Sequence, residues 1–464
     1  MLCPGRELPC LFHIGLRWSN RRRMTIISEN ILNCGSQEMT QLLSDVRLPR
    51  FYKVRQKFDK THFDSETIVS VLKQEFEAIS VRGQRIAVTA GSRGVANIGL
   101  ILKTIVEILK TRGANPFIVP AMGSHGGASA EGQKAILTGY GITEEAMGCP
   151  IYSSMEVKKI GKTVDGREVF IDKMAAEADG IVVVGRIKPH TAFRGPYQSG
   201  VMKMMAIGLG KQYGASVCHG EGFQRMAYNV QVFGSAILKH ANILCGVGII
   251  ENAFDETKKI KVMRREDIEF MEPALLKEAE QNMPRILFPS CDVLIVDEIG
   301  KNFSGDGMDP NVTGTFATPF AAGGIHAERI GLLDLSPETH GNGMGTGMAS
   351  VITERVFKQL DVNMMYINAL TCKNLNGSRI PCVMTSDREA IQFCLKSCIQ
   401  ADLLYPKIIR IFNSQFVEYM WISEALAERL PEGVEILSGP EELSFDSEGN
   451  LTDRFPRQRG QRVL

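Results

Sequence analysis

The sequence predicts an α/β protein of two domains, each a mainly parallel sheet flanked by helices, with an active site in the interdomain cleft. Two observations lead to this prediction. Short runs that are apolar at every position, as in strands covered on both faces, alternate with longer segments of helical periodicity. In addition, strand, helix and strand follow one another over a span typical of a βαβ unit, whose right-handed crossover makes its strands parallel.

The order of the predicted elements sets the domain boundary. A helix runs from Asn97 to Lys110, and a polar segment from Arg264 to Pro284 is predicted to form a linking helix. A second series of strands follows that segment. We therefore place the boundary near residue 286, which gives domains at 24–285 and 286–452. Four apolar runs are the clearest strands, namely residues 85–90, 116–120, 180–184 and 292–296.

The two ends of the chain differ in composition from the rest. Residues 1–23 end in Trp-Ser-Asn-Arg-Arg-Arg and are predicted to be a non-native or disordered extension before a true start at Met24. An Arg-rich organellar presequence is the alternative, whereas a secretory signal would carry its charge before the apolar stretch. Residues 453–464 are polar and Arg-rich, so we expect a frayed tail.

Composition limits the classes of function. The 464 residues are 44% hydrophobic, and basic and acidic residues are interspersed to a formal net charge of +1. Such a chain lacks the single-sign field that attracts nucleic acid or an anionic membrane, and it has no apolar run of about 18 residues. The eleven cysteines are dispersed, as expected of reduced thiols in a cytoplasmic protein. We therefore expect a small-molecule ligand, no nucleic acid, no membrane, and no lasting protein partner except a second copy in a homo-oligomer.

Three predicted strands are each followed by a glycine-rich segment with a candidate functional side chain. Ser92 and Arg93 follow the first strand, His125 follows the second and His190 follows the third. A lone histidine near glycine is usually a hydrogen-bonded turn residue. Here, however, two of only eight histidines fall at corresponding positions, and ligands gather at the carboxyl ends of parallel strands. We therefore predict that these side chains share one rim of the sheet.

Lys203 and His219 extend this set. Lys203 lies in a Met-rich, apolar segment, where loss of water would lower its pKa and free the amine as a nucleophile or attachment point. A surface lysine with a buried stem would give the same pattern, and these residues alone do not choose between the two. His219, between Cys218 and Gly220, is a candidate ligand for nickel, copper or zinc. No second ligand follows at motif spacing, so a zinc site built only by protein is not expected.

These residues together resemble the nickel-pincer-dependent lactate racemase (LarA-type) family. The resemblance runs in good order and spacing from about Gln84 to Gly222 and continues more loosely through the second domain. It consists of four motifs, namely Ser92-Arg93, Gly-Ser-His125, Pro-His190-x-x-Phe-x-Gly, and Ser199-Gly200-x-x-Lys203 followed by His219.

The resemblance implies a cofactor and a role for each residue. The cofactor would be nickel held by a pincer nucleotide, pyridinium-3-thioamide-5-thiocarboxylic acid mononucleotide, attached to Lys203. His219 would complete the nickel coordination, and Ser92 and Arg93 would contact the cofactor. His125 and His190 would be the two catalytic acid/base groups, because a racemase needs one for each enantiomer and imidazole suits both directions near neutral pH. Enzymes that build the cofactor would be transient partners.

The sequence departs from the family pattern in three places. The segment Arg194-Gly-Pro-Tyr-Gln198 is inserted into a turn that is tighter in the lactate enzyme, and Ala90-Gly91 stand where an acidic residue is expected before Arg93. The stretch 297–314 does not clearly match the substrate-binding part of the family. Within it Lys301 is the candidate that would contact substrate together with Arg93, and a solvated loop lysine is the alternative.

These departures indicate a divergent subgroup. The preferred hypothesis is an isomerase that racemises or epimerises a small 2-hydroxy acid, which need not be lactate. One alternative is a metal-dependent hydrolase or lyase that uses the three histidines directly as metal ligands. Another is a non-catalytic homologue that binds a hydroxy acid or the cofactor.

Overall fold

The computed structural model describes residues 37–81, 84–453 and 455. The predicted extension 1–23 and the start at Met24 lie outside the described residues. Asp453 and Phe455 pack near the larger sheet, where the Asp453 carbonyl accepts a 2.7 Å hydrogen bond from Arg410 and the Phe455 ring lies 6.1 Å from that of Phe412. The rest of the predicted frayed tail lies outside the described residues.

The strands form two main sheets and one hairpin. In chain order they are β1 (Phe51–Gln56), β2 (Arg85–Ala90), β3 (Asn115–Pro120), β4 (Val157–Lys162), β5 (Glu168–Asp172), β6 (Gly180–Arg186), β7 (Ile243–Glu251), β8 (Thr257–Arg264), β9 (Ser290–Val296), β10 (His326–Leu332), β11 (Val351–Thr353), β12 (Cys382–Met384), β13 (Ile408–Ile411), β14 (Tyr419–Ser423) and β15 (Val434–Glu441).

The helices cover these sheets. The longer ones span Ser65–Phe76, Ile98–Thr111, Ala130–Gly139, Lys211–His219, Met226–His240, Ile268–Asn282, Val362–Cys372 and Asp387–Lys396. The shorter ones span Gln37–Leu43, Glu144–Met147, Lys173–Ala176, Val201–Lys203, Pro310–Thr313, Glu354–Gln359 and Glu424–Ala427, and a π-helical turn spans Met204–Gly208.

The smaller sheet has the strand order β3-β2-β6-β7-β8, in which only the β7–β8 pair is antiparallel. Its central strands are apolar at successive positions because both faces are covered. Ala87 and Ile181 belong to the core on one face, and Val88 and Val182 to the core on the other. The predicted mainly parallel sheet flanked by helices is therefore confirmed for this half.

The larger sheet has the order β12-β11-β10-β9-β13-β14-β1-β15. The pairs from β12 to β13 are parallel and the remaining three are antiparallel. Strand β1 lies in this sheet, with Phe51 opposite Ser423, although the predicted boundary at residue 286 assigns it to the first domain. The division at residue 286 stays a prediction.

The described residues contain no helix that is both long and apolar enough to cross a membrane.

Candidate active site

The carboxyl ends of β3, β2 and β6 lie side by side, and each continues into a segment with a predicted site residue. Ser92 and Arg93 follow β2, His125 follows β3 and His190 follows β6. The Ser92 hydroxyl is hydrogen-bonded to Nδ1 of the His125 ring, which joins two of these segments directly. The strand order thus brings together side chains that are far apart in the sequence.

The turn that carries His125 is fixed by its backbone. Gly126 adopts a φ of +67°, and a Cβ there would lie 2.6 Å from the carbonyl carbon of Gly132, so only glycine fits. The buried Gln133 side-chain amide donates to the carbonyls of Gly123 at 2.9 Å and His125 at 3.3 Å. The main chain is therefore held in place while the His125 side chain keeps exposed surface.

Lys203 lies at the end of the short helix Val201–Lys203, immediately before the π-helical turn. The buried carboxylate of Glu272 accepts a 3.0 Å hydrogen bond from the Met202 N–H at the start of this helix. A Cβ at Gly200 would overlap the same carboxylate, which explains the glycine of the Ser199-Gly200-x-x-Lys203 motif. Burial raises the pKa of Glu272 to about 7, although the backbone hydrogen bonds act to lower it.

Two cations of the site, Lys203 and Arg93, have no partner among the described residues. Within the described part of the chain, neither the Lys203 amine nor the Arg93 guanidinium forms a hydrogen bond or an ion pair with a protein group. Burial, followed by the charge of Arg93, lowers the pKa of Lys203 to about 7. Lys203 is largely shielded from solvent, and an unpaired cation in such a position is costly, so this site favours a neutral Lys203 or a bound anion.

Burial, followed by nearby positive charge, lowers the pKa of all three candidate histidines. The pKa of His125 falls to about 4, with the charges of Arg93 and Lys203 as the largest contributions after burial. The pKa of His219 also falls to about 4, through burial and Lys203, and that of His190 falls well below its usual value for the same two reasons. Since Lys203 contributes to the shift at every ring, each of the three imidazoles lies within electrostatic range of the Lys203 amine. All three imidazoles are neutral at pH 7.

The rings of His190 and His219 both lie near Phe223. The Phe223 centroid is 6.2 Å from that of His190 and 6.3 Å from that of His219, which it meets edge-on. The Ala192 N–H donates a 3.0 Å hydrogen bond to Nδ1 of His190. A neutral imidazole that accepts at Nδ1 carries its proton on Nε2, so the free nitrogen of His190 is a donor in this arrangement.

Lys301 also reaches the site, from the loop after β9. Its amine donates a 2.7 Å hydrogen bond to Oδ1 of Asn368, and its positive charge contributes to the low pKa of His125. Burial, followed by the charge of Arg93, lowers the pKa of Lys301. The Lys301 side chain is therefore partly buried and hydrogen-bonded, and its contact with substrate stays a prediction.

Sequence reasoning missed Asp306 and Lys373. Burial raises the pKa of Asp306, while its hydrogen bond with Thr191 and the charge of Arg93 act against this rise. Asp306 thus supplies, from the other half of the chain, a carboxylate near Arg93, where Ala90-Gly91 offer none. Its Gly-Asp-Gly turn was the signal available. Lys373, whose charge lowers the pKa of His219, stands in no recognisable motif.

A further feature of the described residues concerns clusters of side chains that could hold a metal ion. Within residues 37–81, 84–453 and 455, no three His, Cys, Asp or Glu side chains come close enough together to hold a metal ion.

Comparison with known proteins gives one clear match. A family model described as the lactate racemase N-terminal domain matches residues 35–225, the stretch that holds all the predicted site residues of the first domain. No curated protein matches the chain.

Two solved structures show only a distant likeness. A protein from Thermotoga maritima is 12% identical, with 60% of this chain and 72% of that chain covered and a TM-score of 0.45. The lactate racemase apoprotein from Thermoanaerobacterium thermosaccharolyticum is 15% identical, with 76% and 83% covered and a TM-score of 0.40. The domain match and the sequence motifs therefore agree: residues 35–225 are similar to the N-terminal domain of lactate racemases.

Proposed function

We propose that the chain is an isomerase that racemises or epimerises a small 2-hydroxy acid with a nickel-pincer nucleotide as cofactor. One observation carries the proposal. The unpaired amine of Lys203, with its pKa lowered to about 7, lies within electrostatic range of three neutral imidazoles. This set combines an attachment point, a metal ligand and two acid/base groups, which is what the reaction needs.

The residues present fit the cofactor. With a pKa of about 7, the Lys203 amine is neutral in a substantial fraction of molecules near pH 7 and can be acylated, and the His219 ring, which has no hydrogen bond within the described residues, offers one imidazole to a metal. The sulfur arms of the organic cofactor would supply the remaining donors, and sulfur arms with one imidazole suit square-planar nickel. Arg93 and Ser92 would contact the nucleotide.

Each residue has a distinct task in the reaction. Hydride acceptance from C2 and its return to either face are the chemistry that the nickel-pincer nucleotide supplies when bound. Arg93 and Lys301 hold the substrate carboxylate, Arg93 through a planar, bidentate pair. His125 takes the hydroxyl proton of one enantiomer as the 2-keto acid forms, and His190 serves the other.

The hydrogen bond from Ala192 adds a condition for His190. It sets the neutral ring to donate from Nε2 to the substrate oxygen. His190 therefore becomes a base at Nε2 only when Nδ1 gives up this bond and takes the proton.

The proposal extends to the setting of the enzyme. We place it in the cytoplasm, with the cofactor-building enzymes as transient partners and a second copy of the chain as the only other protein partner.

The decisive experiment uses protein produced together with the cofactor-building enzymes. Peptide mass mapping should show a large adduct on the Lys203 peptide, and metal analysis should show nickel in about one-to-one ratio with chain. Chiral chromatography with a panel of 2-hydroxy acids should then show interconversion. His125→Ala and His190→Ala should each lower turnover by about 10²- to 10⁴-fold while the adduct and nickel remain.

The outcomes separate the alternatives. A Lys203 peptide without adduct would overturn the proposal, and zinc retained without any organic group would favour a hydrolase or lyase. Tight binding of a hydroxy acid by fully loaded protein, without turnover, would indicate a binding protein.

A further inference from the structure

The segment that carries His190 is a closed loop. Lys188 and Ser199 form an isolated antiparallel bridge, with N–H···O distances of 3.0 and 3.1 Å, so the two ends of the loop are pinned together. The inserted residues Arg194–Gln198 lie inside this loop and fold back over His190. Residues inserted into a surface turn usually make it more mobile. Whether these residues are mobile or held in place depends on their contacts.

The two ends of the insertion hold the two backbone polar groups of His190. Oε1 of Gln198, whose side chain is buried, accepts the His190 N–H at 2.9 Å. Nη1 of Arg194 donates to the His190 carbonyl at 2.6 Å. The peptide groups on both sides of His190 are therefore fixed by side chains of the insertion.

Arg194 also reaches the second half of the chain. Nη2 donates to Oδ1 of Asn311 at 2.6 Å and to the Ala322 carbonyl at 2.9 Å, and the guanidinium lies over the Phe316 ring at 5.0 Å. The backbone N–H of Arg194 donates to the Phe320 carbonyl at 3.0 Å. One planar side chain thus ties the backbone of His190 to the loop at 311–322.

A third contact anchors the middle of the insertion. The Tyr197 side chain is buried, and its hydroxyl donates a 2.8 Å hydrogen bond to the carbonyl of Glu269. Glu269 belongs to the helix Ile268–Asn282, which packs on the smaller sheet. The insertion is therefore braced by that helix, by its own loop and by the second half of the chain.

We propose that Arg194 and Gln198 are positioning residues for His190, and that Arg194 couples the placement of this histidine to the loop at 311–322. Neither residue needs to touch the substrate. The catalytic consequence rests on the proposed function, because it assumes that His190 transfers a proton. The placement of the ring itself can be tested without cofactor or turnover.

The test uses the full chain without cofactor at pH 7. Peptide mass mapping measures the rate at which diethyl pyrocarbonate modifies each histidine. Arg194→Ala and Gln198→Leu should each raise the rate at His190 by about fivefold, as expected when a local hydrogen bond is lost. The rate at His125 should change by less than about twofold, because its turn is held by other groups. Gln198→Glu keeps an acceptor for the His190 N–H and should react like wild type.

Two controls keep this result interpretable. Arg264→Ala removes an exposed arginine of the same half of the chain, whose ion pairs are with Glu266 and Asp267, and should change no rate. If Arg194→Ala unfolds, all histidines react faster together, and Arg194→Lys becomes the deciding variant. A single ammonium cannot contact His190, Asn311 and Ala322 at once, so it should give a smaller but selective rise at His190.

The loaded enzyme provides the second readout. In Arg194→Ala, kcat should fall with little change in KM, because only the acid/base group is displaced. An unchanged His190 rate in both Arg194→Ala and Gln198→Leu would overturn the proposal, as would an effect on KM alone. If the protein proves to have no adduct and no turnover, the proposed function fails while the labelling result still decides the placement of His190.

Discussion

Two lysines in neighbouring turns of the chain show how differently the fold treats a cation. Lys211 is fully buried and lies 3.0 Å from Oδ2 of Asp172, and it donates to the Pro120 carbonyl at 2.5 Å and to Gln133 at 3.3 Å. Lys203 has no such partner within the described residues. Burial lowers the pKa of both amines. At Lys211 the paired carboxylate and its hydrogen bond act against this fall, whereas at Lys203 the opposing influence is the charge of groups that are not hydrogen-bonded to the amine, Asp306 among them.

The contrast separates a structural cation from a functional one. Lys211 even adopts a φ of +53°, which is unfavourable for a residue with a side chain, and the bonds of its ammonium hold it there. Its contact with Gln133 also supports the turn of His125, because the amide of Gln133 donates to the His125 carbonyl. Lys211 therefore stabilises the framework, whereas the unsatisfied Lys203 is available to an incoming group.

The largest expected effect is on activity. Lys203→Met should abolish the adduct and lower turnover by about 10⁴-fold or more, as when an essential group is removed, while the free energy of unfolding stays equal or rises. The measurement combines peptide mass mapping, chiral product analysis and urea denaturation. If this variant keeps both adduct and activity, Lys203 is not the attachment point and is no more functional than Lys211.

Lys211→Met should show the opposite result, with its main effect on stability. Removing one partner of a buried pair leaves the Asp172 carboxylate uncompensated, so the free energy of unfolding should fall by about 3–5 kcal/mol. Urea denaturation of the unloaded protein measures the loss. The double variant with Asp172→Leu should recover most of it, because both charges are then absent. A Lys211→Met protein as stable as wild type would show that the pair is not structural.

The shared position of the site residues at one edge of the smaller sheet could be predicted, because the sequence patterns that indicate it are local. The strands before Ser92, His125 and His190 are mostly apolar, and a glycine lies within three residues of the end of each, so their shared edge follows from the parallel order. The pairing of β1 with β14 could not be predicted in this way. It joins Phe51 to Ser423, and nothing near either residue encodes that contact.

The same reasoning explains what sequence analysis missed in the site. The stretch around Lys301 and Asp306 is rich in glycine and polar residues, which is typical of a solvated loop. Burial against the first half of the chain turns these two residues into neighbours of Arg93. The inserted residues Arg194 and Gln198 were visible in the sequence, but their hold on His190 depends on how the loop folds back.

The variant Asp306→Asn tests the contrast between Lys203 and Lys211 with a smaller expected effect. The negative charge of Asp306 acts to raise the pKa of Lys203. Asp306→Asn should therefore lower that pKa further, so that more of the Lys203 amine is neutral at a given pH. Modification of Lys203 by an acylating reagent, followed by mass mapping, should then show the midpoint of its pH profile shifted downward. Turnover should change by about tenfold or less, because Asp306 is not an acid/base group. An upward shift of the midpoint would contradict this electrostatic role.

The smallest effect is on how stability depends on pH in the unloaded protein. The pKa of Lys203 is about 7 in the folded state against an ordinary value of 10.5, so between these values the unfolded chain binds more protons than the folded one. Stability contributed by this residue therefore rises with pH from about 7 to 10.5, and the full cost of the buried charge is present below pH 7. Lys203→Met should flatten this rise, so its advantage over wild type in urea denaturation should be greatest near pH 6 and smallest near pH 10. Parallel stability curves for the two proteins would mean that the Lys203 amine stays charged in the folded state, and the reason for treating it differently from Lys211 would be lost.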